Sequence, residues 1–406
     1  MGSGKHARNV EVFHTHGQYP SRALISRAAF EHNLSRARDL AGLAEVMAVI
    51  KADAYGHGSV QIAQWAMDAG VRWFGIAQLA EAMDVRREIG DEPHILALIA
   101  EPGASFSQAI ELGIDLTVSS QTALDEIARA GAENGLAARV HLEVDTGMAR
   151  GGVQLDQVPS IAQSLADYQD GGLVEVVGLW SHLACADDPD SPVTEHQVEL
   201  FEQARAFVAE AGLNPPFVHL AASAGLLWHP QTHYTMVRPG IMLYGLSPNP
   251  SVATASDLGL EPVMQLDATV VSVRDVPQGT GVSYGHTAHT TTAAHLATVP
   301  LGYADGIPRS ASNNAQVLAA GGKTPIMGRV CMDQFVIEAP DIHPGDVVTL
   351  FGGEPNMPTA DEWAQQSGTI GYEIVTRIGV RVPREYIDHD ADTGLDEAMS
   401  DAAWAA

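Results

Sequence analysis

The chain has 406 residues, which is longer than an ordinary single domain and predicts two domains, or a barrel with an appended domain. Its formal net charge of -28 argues against nucleic acid and anionic membranes as partners, because both would be repelled. Only two cysteines occur, Cys185 and Cys331, which excludes a disulfide framework or a cysteine-rich metal site and fits a reducing compartment.

We expect no targeting segment in the N-terminal region. Residues 1–20 lack the apolar core of a secretory signal, and no apolar run in the sequence reaches the roughly 18 residues of a membrane span. We therefore expect a cytoplasmic protein in which residues 1–20 form a disordered extension.

Strand and helix patterns alternate over residues 21–262. Eight short apolar runs predict strands at Val46 to Ile50, Trp73 to Ile76, Ile95 to Ile99, Leu116 to Val118, Val140 to Val144, Val176 to Leu179, Phe217 to Leu220 and Met236 to Val237. Helical spacing predicts helices at Ala29 to Ala41, Ile62 to Ala69, Leu79 to Ile89, Ala123 to Ala130 and Val198 to Ala209. This pattern predicts an α/β fold with an N-terminal parallel (β/α)₈ barrel of the TIM type. A doubly wound open sheet is the alternative, but no Gly-x-Gly-x-x-Gly turn follows the first strand to support it.

From residue 263 onward the pattern changes to strands joined by turns that contain Gly and Pro. Strands are predicted at Leu266 to Val276, Leu296 to Val299, Val317 to Leu318, Pro325 to Val330, Phe335 to Ile337 and Val347 to Phe351. Two short helices are predicted at Thr359 to Gln366 and Ile370 to Ile378. Residues 263–388 therefore predict a mainly β C-terminal domain, and residues 389–406 form an acidic tail typical of solvated surface or a saline milieu.

Polar residues follow several of the barrel strands at the end where such barrels carry their function. They are Lys51 after the first strand, Arg150 beyond the fifth, His182 after the sixth, Ser223 after the seventh, and Arg238, Gly240 and Ile241 at the eighth. A desolvated lysine has a lowered pKa, and its free amine can form a Schiff base with a carbonyl compound. Taken alone, a lysine at a strand end more often reaches solvent.

Ser223, together with the backbone amides near Gly240 and Ile241, matches the phosphate cradle of such barrels, and Tyr55 can add a hydroxyl. A Schiff-base lysine and a phosphate cradle at one barrel mouth indicate pyridoxal 5′-phosphate. Alternatives stay open for single residues, because Ser223 also suits a helix cap and His182 a packed polar position rather than a contact to the cofactor ring.

Arg238 is the candidate partner of the cofactor's pyridine nitrogen. An arginine cannot hand over its proton, so the carbanion is less delocalised and is reprotonated promptly, which suits a racemase. The alternative is a structural ion pair at the barrel rim.

Residues 49–58, VIKADAYGHG, closely resemble the cofactor-lysine signature of the alanine racemases, which are fold-type III pyridoxal-phosphate enzymes. Further matches occur in family order at VDTGM (144–148), RPG (238–240), SYG (283–285), GYADG (302–306), GRVCMDQ (328–334) and GYE (371–373). The resemblance covers roughly Ser21 to Tyr386.

The resemblance implies a cytoplasmic homodimer that interconverts L-alanine and D-alanine and supplies D-alanine for peptidoglycan. It implies that Lys51 holds the cofactor and acts as the base for the D-enantiomer, while Tyr284 of the partner subunit serves the L-enantiomer, tuned by His182. The phosphate contacts implied by the family are Tyr55, Ser223, Gly240, Ile241 and Tyr372. Arg150 and the backbone of Met332 are implied to hold the substrate carboxylate, with Tyr303 and Arg329 lining the way in and Asp333 in support.

One position departs from a common family pattern. Many members carry a carbamylated lysine where Glu143 stands here. We expect the Glu143 carboxylate to orient Arg150 without modification; a solvated strand-edge glutamate is the alternative.

Two other functions are alternatives for a chain with these features. A fold-type III decarboxylase typically places a glutamate at the pyridine nitrogen, and Arg238 and the SYG string argue against it. A single-barrel pyridoxal-phosphate carrier would lack the second domain and would have no use for Tyr284.

Weak activity on serine is expected, because pocket size discriminates by only about 1 to 3 kcal/mol per methylene.

Overall fold

The computed structural model describes residues 19–388. The acidic tail, and the predicted disorder of residues 1–18, lie outside the described residues. Eight parallel strands form a closed ring, because the fourth strand pairs with both the third and the fifth. In chain order, barrel strands 1 to 8 are Glu45–Val49, Trp73–Ile76, His94–Ala97, Ile114–Val118, Ala138–Asp145, Val174–Trp180, Phe217–Ala222 and Met236–Arg238. The predicted barrel is confirmed.

Helices surround the barrel and pack against its strands. They are Arg27–Ala41, Ser59–Asp68, Leu79–Ile89, Phe106–Glu111, Gln121–Asn134, Val158–Asp170, Pro192–Glu210 and Ser223–Trp228. The sequence rules for helix ends apply here: the Ser120 hydroxyl accepts a hydrogen bond from the amide of Ala123, and Gly135 ends that helix in the left-handed conformation. No helix within residues 19–388 is long and apolar enough to cross a membrane.

The C-terminal domain is mainly β, as predicted. Its largest sheet has the strand order Gly322–Pro325, Gln316–Ala319, Val347–Phe351, Met264–Thr269, Ser21–Ser26 and Arg384–Ile387. A three-stranded sheet contains Ser272–Val276, Ala294–Val299 and Phe335–Glu338, and a small hairpin pairs Gly281–Val282 with Ala288–His289. Two helices, Ala360–Ser367 and Gly371–Thr376, complete the domain.

Three details of this domain differ from the prediction. Ser21–Ser26, placed with the barrel by the sequence, pairs with Met264–Thr269 and Arg384–Ile387 in the large sheet. The single strand predicted from 266 to 276 is two strands, because the amide of Val270 bonds to Asp346 in one sheet and that of Val271 to Thr298 in the other. The strand predicted from 325 to 330 ends at Pro325, and Ile326 keeps only one bridge, to Ile337.

Candidate active site

A left-handed turn presents Lys51 at the mouth of the barrel. The turn Lys51–Gly56 follows barrel strand 1, and its residues 52–55 all have φ between 51° and 54°. Such a conformation costs about 1 to 2 kcal/mol per residue without glycine. The His57 ring compensates in part, because its Nδ1 donates to the carbonyls of Ala54 and Tyr55 at 3.0 Å each. Strain held in place by tertiary contacts is typical of functional sites.

The ammonium group of Lys51 lies among other cations. Its Nζ is 5.9 Å from the centre of the Tyr55 ring. Burial lowers the pKa of Lys51, and the positive charges of Arg150 and Arg238 lower it further. The free amine is therefore more populated than in an exposed lysine, as Schiff-base chemistry requires.

The predicted phosphate residues converge next to this turn. The Ser223 Oγ accepts hydrogen bonds from the amides of Gly240, at 2.9 Å, and Met242, at 3.4 Å. The Tyr55 hydroxyl lies so close to Gly240 that a Cβ atom there would be 2.3 Å from its oxygen. The rings of Tyr55 and Tyr372 are 6.2 Å apart, and Ile241 begins the short turn after Gly240. These groups form a small polar cradle that only glycine at position 240 leaves open.

Arg238 is buried in the barrel at the end of strand 8. Its guanidinium donates to the backbone carbonyls of Ser181, His219 and Leu220, and it lies 5.0 Å from the Trp180 ring. Burial lowers the pKa of Arg238 to about 9, although Glu143 raises it, so the group stays a cation at neutral pH. Carbonyl and ring partners, rather than a carboxylate, argue against a rim ion pair.

His182 is held as a neutral imidazole beside Arg238. Burial, Arg238 and Arg150 together lower the pKa of His182 to about 3. The Nδ1 of His182 lies 3.3 Å from Nη2 of Arg238, and an arginine can only donate. The ring proton of His182 therefore sits on Nε2.

Glu143 and Arg150 line one small cavity with Met148, Ser181 and His182. The loop that carries Arg150 is fixed by Asp145, whose Oδ1 accepts from the amides of residues 147 and 149 at 2.9 and 3.1 Å. Burial raises the pKa of Glu143 to about 7, despite Arg150 and Arg238. Within the described part of the chain, no ion pair shorter than 4.0 Å joins Glu143 to Arg150, so the orienting role of Glu143 stays a prediction.

Apart from Tyr372, which lies beside Tyr55, the site residues predicted in the second domain form a separate and largely exposed group. Tyr284 is 70%, Met332 53% and Tyr303 42% exposed. Contacts of neighbouring residues fix the loops that carry them: the Ser283 hydroxyl donates to the Arg329 carbonyl at 2.6 Å, and Asp333 pairs with Arg381 at 2.9 Å. Among residues 19–388, no hydrogen bond, ion pair or ring contact joins Tyr284 to Lys51 or Arg238 of the same chain.

Three buried residues near Arg238 were missed by the sequence reasoning. Asp115, His141 and His219 lie inside the barrel and are fully buried. Their only signal in the sequence was a polar side chain within an otherwise apolar strand.

Known proteins resemble the chain along most of its length. Residues 25–248 match the family described as alanine racemase, N-terminal domain, and residues 263–386 match alanine racemase, C-terminal domain. The alanine racemase of Beutenbergia cavernae is 47% identical over 91% of this chain and 98% of its own length. The crystal structure of the Streptomyces lavendulae alanine racemase has a TM-score of 0.90 at 42% identity, covering 92% of this chain and 98% of that one.

A Bartonella henselae alanine racemase, solved with covalently bound pyridoxal phosphate, has a TM-score of 0.82 at 28% identity and covers 91% of this chain and 99% of its own. The family matches, the close relatives and the fold all agree with the geometry at the barrel mouth. The chain belongs to the alanine racemase family.

Proposed function

We propose that the chain racemises alanine with pyridoxal 5′-phosphate bound at the barrel mouth. One observation carries the proposal: an amine with a lowered pKa, an open polar cradle at Gly240 and a buried cation lie together there. Lys51 would hold the aldehyde carbon, Tyr55 and Ser223 the phosphate, and Arg238 the ring nitrogen. When bound, the cofactor supplies the electron-withdrawing system that makes the α-proton of alanine removable.

Different residues of the chain then bind the substrate and transfer its proton. Arg150 and the backbone of Met332 hold its carboxylate, and Lys51 exchanges the α-proton on one face. Tyr284 exchanges the proton on the other face. The proton on Nε2 of His182 can be donated to the Tyr284 oxygen, and a hydrogen bond of this kind favours an ionised phenol.

We propose a homodimer, because Tyr284 is exposed and makes no described contact with Lys51 of its own chain. In a dimer, Tyr284 of a second copy faces the barrel mouth of the first. Arg238, a cation at neutral pH, favours prompt return of the proton over decarboxylation. The proposed role is the supply of D-alanine for peptidoglycan in the cytoplasm.

Borohydride trapping tests the cofactor assignment. The sequence contains three lysines, Lys5, Lys51 and Lys323, so the reduced adduct can be located by peptide mass analysis. We expect the adduct on Lys51 in the wild type and in Lys323→Ala, and none in Lys51→Ala. The same enzyme should convert L-alanine to D-alanine without releasing carbon dioxide. An adduct on another lysine, or carbon dioxide release, would refute the proposal.

A further inference from the structure

A chain of buried side chains crosses the interior of the barrel and ends at Arg238. Nη1 of Arg238 lies 3.1 Å from Nδ1 of His219, and Nε2 of His219 lies 3.0 Å from Nδ1 of His141. Nε2 of His141 lies 3.2 Å from Oδ2 of Asp115. Asp115 also accepts two hydrogen bonds from Arg139, at 2.7 and 3.1 Å.

The contact with Arg238 shows the direction of each hydrogen bond in this chain. An arginine only donates, so Nδ1 of His219 must accept. Burial and the charge of Arg238 hold the pKa of His219 well below its usual range, which keeps the ring neutral with its proton on Nε2. That proton is donated to Nδ1 of His141, so the proton of His141 is also on Nε2 and faces Asp115.

Asp115 ends the chain as a carboxylate. Its burial would raise the pKa, but the hydrogen bonds from His141 and Arg139 outweigh burial and lower it. An ionised carboxylate can only accept hydrogen bonds, so Nε2 of His141 must carry the proton and donate to it. Both ends of the chain, a guanidinium and a carboxylate, therefore require the same pair of histidine tautomers.

The barrel is shaped to hold the two rings. A Cβ atom on Gly178 would lie 2.0 Å from Nδ1 of His141, so only glycine leaves room for the ring. The pairing of strands 5 and 6 shifts register between Val140 and His141. The Trp180 ring stacks on His219 at 6.0 Å with an interplanar angle of 7°.

We propose that Asp115 and His141 are positioning residues that fix the tautomer of His219, so that its Nδ1 lone pair holds the Arg238 guanidinium in place. The inference rests on the proposed function in one respect, the contact of Arg238 with the cofactor ring. With the opposite tautomer, two donors would face each other between His219 and Arg238. The guanidinium would then shift relative to the ring nitrogen and to His182.

The test compares Asp115→Asn with Arg139→Gln in holoenzyme labelled with ¹⁵N-histidine. In the wild type, NMR should show a bare Nδ1 and a protonated Nε2 for His141 and His219, assigned with His141→Gln and His219→Gln. An asparagine has a single acceptor oxygen, and this oxygen accepts the hydrogen bond from Arg139. The amide nitrogen of the asparagine therefore faces His141 and donates to its Nε2. We expect the His219 tautomer to reverse and kcat to fall about tenfold, as for one lost hydrogen bond to a charged group. The KM for alanine should change by less than about twofold, because Arg150 is untouched.

Arg139→Gln is the matched control, since it removes the ion pair but keeps the hydrogen bond from His141, the larger of the two that lower the pKa of Asp115. It should keep both tautomers and lower kcat by less than about twofold. A protonated Nδ1 on His219 in the wild type, or equal losses of kcat in the two variants, would overturn the inference. If Asp115→Asn does not fold, two variants of His141 replace it. His141→Gln can still accept a hydrogen bond from His219 and donate one to Asp115, so it should retain kcat, whereas His141→Leu should lose it. Equal losses of kcat in these two variants would also overturn the inference. Failure of borohydride trapping at Lys51 would reject the cofactor assignment and leave the tautomers as observed.

Discussion

The two groups of predicted site residues sit in contrasting surroundings. At the barrel mouth, Tyr55, Ser223 and Arg238 are buried, and hydrogen bonds or close contacts fix each of them. In the second domain, Tyr284 and Met332 are exposed. Pre-organisation on rigid elements is what a cofactor needs, whereas an exposed tyrosine lacks the enclosure that proton transfer requires. The difference supports the proposed homodimer, in which the barrel half of the site, made of the residues at the barrel mouth, is fixed within one chain and the exposed residues come from a second copy.

Mixing two inactive variants gives the sharpest test of this contrast. Lys51→Ala and Tyr284→Phe should each lose nearly all activity, because each removes one of the two bases from both sites of a dimer. After co-refolding in equal amounts, half of the dimers are mixed, and each mixed dimer has one intact site. Racemase activity should therefore return to about a quarter of the wild-type value.

The return of activity depends on Tyr284 acting across the interface. If Tyr284 served its own chain, every site in the mixture would lack one base and the mixture would stay inactive. Mixing wild-type chains with an equal amount of the double variant Lys51→Ala/Tyr284→Phe controls for subunit exchange. No site in such a mixed dimer has both bases, so activity should fall to about a quarter if subunits exchange and to about a half if they do not.

A glycine comparison tests how tightly the barrel half is built. In Gly240→Ala, the new methyl group displaces the Tyr55 hydroxyl, and we expect pyridoxal phosphate to dissociate at least about tenfold more readily, as for one lost hydrogen bond to a charged group. Gly322→Ala in the second domain is the control, because nothing lies within 4 Å of a Cβ there. The Kd can be measured by cofactor titration of the resolved enzyme. Equal Kd values for the two variants would contradict the cradle.

The same contrast shows what the sequence could predict. The eight barrel strands were predictable because strands buried on both faces read as apolar runs, and the bounds of Trp73–Ile76 match to the residue. The convergence of Lys51, Ser223 and Gly240 was predictable because the carboxyl ends of parallel strands meet at one end of a barrel.

The features that were missed depend on contacts distant in sequence. Ser21–Ser26 finds its partners more than two hundred residues away, so no local pattern assigns it to the second domain. The left-handed turn at residues 52–55 contains no glycine or asparagine, so no residue type in the sequence predicts it. The hydrogen bonds of His57 stabilise it. The Asp115, His141 and His219 chain appears only when the order of the strands around the barrel is known.

The pH dependence of folding stability gives a smaller test of the buried residues at the barrel mouth. Burial lowers the pKa of His57 to about 3, from about 6.5 when unfolded. A neutral buried histidine stabilises the fold above pH 6.5, and this stability is lost as the pH falls toward 3, because the unfolded chain binds the proton first. His57→Asn keeps a hydrogen-bond donor for the turn. As the pH falls, the unfolding free energy of this variant should decrease less steeply than that of the wild type, and the two slopes should differ by up to about 1.4 kcal/mol per pH unit. Urea unfolding between pH 7 and 5 measures the slope, and His343→Asn, at an exposed position of the second domain, should match the wild type.

The smallest effect is expected at Glu143, which lines the same cavity as Arg150, the proposed holder of the substrate carboxylate. Its pKa of about 7 means that the carboxyl ionises as the pH rises through neutrality, which costs folding stability but strengthens its attraction for Arg150. The KM of the wild type for alanine should therefore fall between pH 6 and 8, by about threefold if the attraction is worth about 0.7 kcal/mol. Glu143→Gln should abolish this step, while Glu354→Gln, exposed in the second domain, should retain it. An unchanged KM and kcat in Glu143→Gln across this range would show that Arg150 is held by its own loop, through the hydrogen bonds of Asp145, and needs no charge behind it.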